Sequence, residues 1–166
     1  MDKYVLIVAG GKGLRMGGDL PKQFIPMRGK PLLMHTLEAF HRWDASARII
    51  LVLPEDHQPY WNMLCKEIGC KVPHAIVKGG DTRFFSVKNG LDWLLAERRR
   101  KGEEDSGLSL VAVHDGVRPF VSPEVVEPAL IKRLSREPLS GCSDVDSCVR
   151  QMEREPSGGP FPLYGL

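Results

Sequence analysis

The sequence predicts an α/β protein: a mostly parallel sheet with helices over both faces. Three observations carry this. Apolar β-branched runs and longer amphipathic segments follow one another in the order strand, helix, strand, helix, strand. Runs such as residues 4–8 and 48–53 are apolar enough to be buried on both sides, as parallel strands are. The most unusual stretches, rich in glycine and charge, fall directly after such runs, where open α/β sheets bind their ligands.

The elements follow in order. Residues 4–8 read as a buried strand. Residues 31–43 read as a helix, with Leu32, Leu33, Leu37 and Phe40 at helical spacing and Pro31 near its start. Residues 48–53 form a strand, and 55–68 a helix ended by Gly69. A short strand at 75–77 precedes a long helix at 83–99, with Val87, Leu91, Leu94 and Leu95 expected on its inner face. Residues 108–113 are a strong strand, and Ser122-Pro123-Glu124 opens another helix, with serine as cap and proline in the first turn. Trp43, Trp61 and Trp93 fall in helices and read as packing residues.

After about Glu137 the character changes. Pro, Gly and Ser dominate, the apolar residues lose their period, and nothing resembles the next element of an alternating domain. Residues 1–136 are therefore expected to be the folded domain. Residues 137–166 read as an atypical tail, either a flexible extension or the mark of a truncation or reading-frame shift.

The 166 residues are one domain's worth, with 42% apolar and 27% charged residues, as in ordinary soluble proteins. A net charge of +2 implies no general attraction to nucleic acid or anionic membrane. The run Arg98-Arg99-Arg100-Lys101 is followed by acids and reads as a solvated helix end. No apolar segment reaches membrane-span length, and no signal-peptide pattern opens the chain. The four cysteines form no CxxC pair and are expected as free thiols in a reducing, cytoplasmic setting. His35, His41, His57 and His74 fall at no metal-ligand spacing.

Three loops carry the chemistry: residues 9–18, 79–86 and 114–119. In the first, Gly10, Gly11 and Gly13 let backbone N–H groups approach a phosphate chain. Arg15 can fork onto two oxygens, Lys22 supplies a compact charge, and Pro21 stiffens the approach to it. The loop is no P-loop, because Gly11-Lys12 is followed by Gly13 rather than Ser or Thr. Nor is it a full dinucleotide fingerprint, because Met16 replaces the third glycine, which disfavours a dinucleotide-dependent oxidoreductase. Two cations on one loop exceed the needs of base or ribose recognition and suit a reaction in which charge builds on phosphorus.

The run from Ala9 to Met16, followed by Pro21-Lys22-Gln23-Phe24, resembles the opening of nucleotidyltransferases that make nucleoside-diphosphate sugars and alcohols. The Pro-Lys-Gln-aromatic ending narrows the resemblance to the 2-C-methyl-D-erythritol 4-phosphate cytidylyltransferase family and its close relative, the ribitol-5-phosphate cytidylyltransferases. The segment from Gly79 to Val87 resembles that family's base-reading element. The run His114-Asp115-Gly116-Val117-Arg118-Pro119 matches its His-Asp-small-small-Arg-Pro motif, with Gly116-Val117 where an alanine pair is usual.

The resemblance implies a Rossmann-like three-layer α/β/α nucleotidyltransferase sheet, missing some C-terminal strands. It implies transfer of CMP from CTP to methylerythritol phosphate, with release of pyrophosphate and Mg²⁺ as cofactor. Arg15 and Lys22 would be catalytic. Ala9, Gly10, Gly11, Gly13, Gly80, Asp81, Arg83, Ser86 and Gly116 would bind the nucleotide, and Asp115 would hold the metal. Alternatives stay open: Asp81 or Thr82 could simply cap the long helix, and Asp115 could be a turn residue bonding its own backbone. His114 reads as a structural hydrogen-bonder, while Arg118 either meets the second substrate or pairs with an acid. Acceptor-gripping residues and the family's dimer arm cannot be placed in 139–166. A homodimer is thus implied by the family yet doubtful here. The ribitol 5-phosphate enzyme and a catalytically defective CTP-binding fragment are the alternative readings.

Overall fold

The computed structural model describes residues 2–10, 20–103 and 109–120. In chain order these are β1 (Asp2–Val8), a short hairpin of β2 (Pro26–Met27) and β3 (Lys30–Pro31), α1 (Leu32–Trp43), β4 (Arg48–Leu53), α2 (Gln58–Ile68), β5 (His74–Lys78), α3 (Arg83–Arg100) and β6 (Ser109–Asp115). Single 3-10 turns stand at Lys22–Phe24 and Glu55–His57.

The main sheet has the order β5-β4-β1-β6, and every pairing in it is parallel. The chain steps outward from β1 to β4 and β5, then returns to the far side of β1 as β6. The direction of winding therefore reverses between β1 and β6, where loops part to opposite faces and leave a crevice. At that point Val8 lies opposite Asp115.

Burial explains why these runs became strands. Val5, Ile7, Ile49, Leu51 and Leu53 turn to one face and pack with Leu33, Leu37 and Phe40 of α1 and Trp61 of α2. Tyr4, Leu6, Ile50 and Val52 turn to the other and pack with Val87 and Leu94 of α3. Successive strand side chains alternate in direction, so only a run apolar throughout can serve two covered faces. A Cβ on Gly90 would lie 2.4 Å from Leu6 Cδ1, so this glycine lets α3 approach the sheet closely. The three-layer α/β/α arrangement read from the sequence is the arrangement found.

Several details differ from the sequence expectations. β6 runs two residues beyond the expected end at 113, which carries Asp115 into the ladder. The expected helix over 55–68 is a 3-10 turn followed by α2; Gly69 ends it in a left-handed conformation, φ 77°. β5 is longer by one residue at each end. Leu95 is 39% exposed rather than inward, because Gly90 and Leu94 take the face that meets the sheet. The β2–β3 hairpin was not anticipated. Trp61 is fully buried, and Trp43 and Trp93 pack at the margins of the two cores, as expected. The helix expected from Ser122 and the tail lie outside the described residues, as do residues 11–19. Among the described residues no helix is long and apolar enough to cross a membrane.

Candidate nucleotide site

The carboxyl edge of the sheet opens into a cleft of about 880 Å³. Its walls come from four separated segments: the end of β1 with the Lys22 turn, residues 54–57 after β4, the β5–α3 loop, and the end of β6. Of the residues singled out in the sequence, Ala9, Gly10, Lys22, Gly80, Asp81, Arg83, Ser86 and Asp115 all line it. Gly11, Gly13 and Arg15 lie outside the described residues.

Lys22 sits on the 3-10 turn after Pro21, which has φ −56° and ψ 142°. The turn is anchored by its other two members, Gln23 and Phe24, both buried. Their burial fixes the backbone beneath Lys22 and leaves its side chain at the cleft. Gly10 is the floor. A Cβ there would stand 3.5 Å from Ser86 Oγ, an ordinary contact, so no described neighbour requires a glycine at this place.

The β5–α3 loop is held by two local bonds. Thr82 is the cap of α3 and accepts a hydrogen bond from the Phe85 amide at 3.2 Å. Asp81 is thus released from capping and is exposed at the cleft. The buried Ser86 hydroxyl accepts from the Gly80 amide at 3.1 Å, which pins the loop onto the first turn of α3. A Cβ on Gly80 would lie 2.4 Å from Phe85 Cβ and 2.9 Å from its carbonyl carbon, so glycine is required by the packing.

Asp115 closes β6 at the switch point. One carboxylate oxygen, Oδ1, accepts from the Val117 amide at 3.2 Å; the other, Oδ2, has among the described residues only a loose approach of 3.9 Å from Arg118 Nε. Asp115 therefore orders its own turn and keeps an oxygen for the cleft. Arg118 pairs with it loosely, the acid-pairing alternative read from the sequence. The turn is further tied by Gly116 N–H to Val8 O at 3.0 Å and by the Thr36 hydroxyl donating to Gly116 O at 2.9 Å. Gly116 does not line the cleft; it packs against Ala9 and Leu33, where a Cβ would lie 2.8 Å from Ala9 Cβ. His114 is fully buried, its Nε2 bonded to Arg118 O at 2.8 Å and its ring edge-on to Phe40. Burial holds its pKa below the usual imidazole value. It closes the loop from inside, the structural role expected of it.

Sequence reading missed part of the wall. Glu55 and Lys78 pair across the cleft mouth at 2.6 Å, and Glu55 raises the pKa of Lys78. His57 also lines the cleft, and its Nδ1 lies 3.2 Å from the buried amide of Gln23. Gln23 belonged to a motif already noted, but its partner lies 34 residues away and no local pattern pointed to it.

Among the described residues no group of three or more His, Cys, Asp or Glu could hold a metal ion by itself. A carboxylate oxygen at the cleft, from Asp115, is a donor of the kind that suits Mg²⁺, which keeps most of its waters.

A parallel sheet wound outward from β1, with cation, glycine floor and carboxylate meeting at its switch point, is the arrangement of an α/β nucleotidyltransferase. A solved structure from Anaerococcus prevotii, a 4-diphosphocytidyl-2C-methyl-D-erythritol synthase, aligns with TM-score 0.59 and 26% identity over 82% of this chain and 52% of that one. The bifunctional IspDF of Campylobacter jejuni shares the fold, with TM-score 0.61 at 21% identity over 81% of this chain and 31% of that one. Residues 4–141 match the IspD, 2-C-methyl-D-erythritol 4-phosphate cytidylyltransferase, family, and the chain belongs to that family. Relatives carrying the same name include one from Bacteroides fragilis, 49% identical over 92% of this chain and 64% of the relative. Another, from Bacteroides thetaiotaomicron, is 56% identical over 76% of this chain and 52% of the relative. The chain thus spans between about half and two thirds of the length of these curated relatives.

Proposed function

We propose that this chain transfers CMP from CTP to 2-C-methyl-D-erythritol 4-phosphate and releases pyrophosphate, a step of isoprenoid biosynthesis. The single observation that carries this reading is the meeting of Lys22, Asp81 and Asp115, from three distant segments, in one cleft. Family membership supports CTP as the nucleotide and methylerythritol phosphate as the acceptor.

The acceptor phosphate is already an anion at neutral pH, so no general base is required. The barrier is electrostatic, because one anion must attack another. Lys22 stabilises the charge that gathers on the α-phosphorus and the departing pyrophosphate. Arg15, on the loop outside the described residues, is assigned the second positive charge. Gly10 leaves room for the phosphate chain. Gly80, Asp81 and Ser86 shape a pocket for cytosine, with Arg83 beside them, and a purine is excluded by size. Asp115 Oδ2 would hold Mg²⁺, which when bound lowers the repulsion between the reacting anions. We read residues 1–136 as the CTP-binding part and the setting as cytoplasmic, in keeping with the free thiols Cys65 and Cys70.

The test is pyrophosphate release by purified protein with CTP, Mg²⁺ and either methylerythritol phosphate or ribitol 5-phosphate. Release with the former alone is expected. Release only with the latter would reassign the acceptor. CTP binding without release from either would refute the transferase reading.

A further inference from the structure

Gln23 is 1% exposed, and its side-chain amide reaches two groups that lie far apart in sequence. Its Nε2 donates to Ala9 O at 3.1 Å and lies 3.2 Å from His57 Nδ1. A carbonyl oxygen can only accept, so the bond to Ala9 O fixes which end of the amide is nitrogen. The second N–H of that nitrogen then points to Nδ1, which must accept. An imidazole whose Nδ1 accepts carries its hydrogen on Nε2. Phe24, next in the chain, sets the ring plane from the side, edge-to-face with His57 at 5.7 Å between centroids. His57 lines the cleft, and its Nε2 has no partner among the described residues and is not sealed from solvent.

We propose that Gln23 is a positioning residue that fixes His57 as the Nε2–H tautomer, so that the cleft wall offers a ring N–H donor to an acceptor atom of the bound nucleotide. The same amide ties the turn that carries Lys22 to Ala9 at the root of the glycine loop, so both cleft features depend on one buried side chain. The ligand half of this inference rests on the CTP reading above; the tautomer half does not.

The test has two arms on the full chain. Long-range ¹H–¹⁵N correlation spectra of the free protein report the tautomer of each histidine. His57 is expected as Nε2–H in the wild type and as Nδ1–H in Gln23→Glu, whose carboxylate can only accept. An Nδ1–H ring in the wild type, or no change in the variant, would overturn the positioning role. Calorimetric titration with Mg²⁺–CTP forms the second arm. His57→Ala is expected to weaken binding about 5- to 10-fold, the worth of one hydrogen bond to a ligand. His57→Gln, which returns an N–H near the Nε2 place, should recover most of the loss, whereas His57→Asn, too short to reach it, should not. Equal affinity in wild type and His57→Ala would overturn the donor role. A wild type that binds no CTP would overturn the nucleotide reading together with the donor role, while the tautomer spectra would still decide for or against Gln23.

Discussion

A glycine-to-alanine series separates packing from ligand contact in the cleft. In Gly80→Ala the new Cβ would lie 2.4 Å from Phe85 Cβ and 2.9 Å from its backbone carbonyl carbon. That is about 1 Å short of the ~3.5 Å at which carbon atoms rest against one another. The neighbour is the first turn of α3, not a flexible side-chain tip, so the loop must move. Movement strains or breaks the 3.1 Å bond from the Gly80 amide to Ser86. Overpacking of about 1–3 kcal/mol plus a lost bond of about 1 kcal/mol gives a destabilisation of about 2–4 kcal/mol. In Gly10→Ala the new Cβ meets Ser86 Oγ at an ordinary 3.5 Å, so stability should stay within about 0.5 kcal/mol of wild type. Both variants should lose CTP affinity at least tenfold, the first by displacing Asp81 and the second by filling the floor. Urea denaturation gives the stabilities and calorimetry the affinities. A Gly80→Ala protein as stable as wild type would refute the packing argument. A Gly10→Ala protein that binds CTP normally would refute the placement of the ligand.

Other consequences are independent of that series. Lys22→Ala should cut turnover by at least about a hundredfold while CTP binding stays measurable, because the charge acts mainly in the transition state; turnover within tenfold of wild type would contradict this. Thr36→Val strips the hydroxyl from Gly116 O and should destabilise the fold by about 1–3 kcal/mol, read by urea midpoint, and raise the Mg²⁺ concentration needed for turnover. Hydrogen bonds from Lys3 and Ser46 hold the Asp44 pKa at about 2, below its usual value of 3.8. A lowered carboxylate pKa stabilises the fold above the unfolded value and ceases to do so as pH falls through the folded one. Asp44→Asn should therefore cost about 1 kcal/mol at pH 7, with the pair partly screened by solvent, and the two proteins should converge as pH falls from about 4 to 2. The hydrogen bond with Cys65 lowers the Cys70 pKa and raises that of Cys65, so iodoacetamide at neutral pH should label Cys70 before Cys65, read by peptide mass mapping.

The fold was legible because strand segments buried on both faces must be apolar, and β1 from Tyr4 and β4 from Ile49 are. Boundaries set by long-range pairing were not: β6 continues to Asp115 because its partner Val8 is there, not because of any signal in His114-Asp115 itself. The hairpin of β2 and β3 turns on Arg28 and Gly29, both at positive φ, 49° and 79°, and Arg-Gly lacks the Asn or Asp that usually marks such a turn. Leu95 was misplaced because helical spacing alone cannot choose between a leucine and the glycine that lets the helix come closer. In the cleft, the loops could be read from glycine and charge, since those residue types serve phosphate wherever they fall. Thr36, Gln23 and His57 could not, because each acts through a partner remote in sequence. For Asp115 the turn reading weighed at the outset is the one found, with Oδ1 accepting from the Val117 amide.

The convergence of three segments on one nucleotide is tested most directly by titrating ¹⁵N-labelled protein with Mg²⁺–CTP and following the amides of Gly10, Gly80 and Asp115. We expect all three to shift along one saturation curve with a single dissociation constant, and none to respond to Mg²⁺–ATP at the same concentration. Separate curves for the three amides, or an unmoved Asp115, would contradict a shared site.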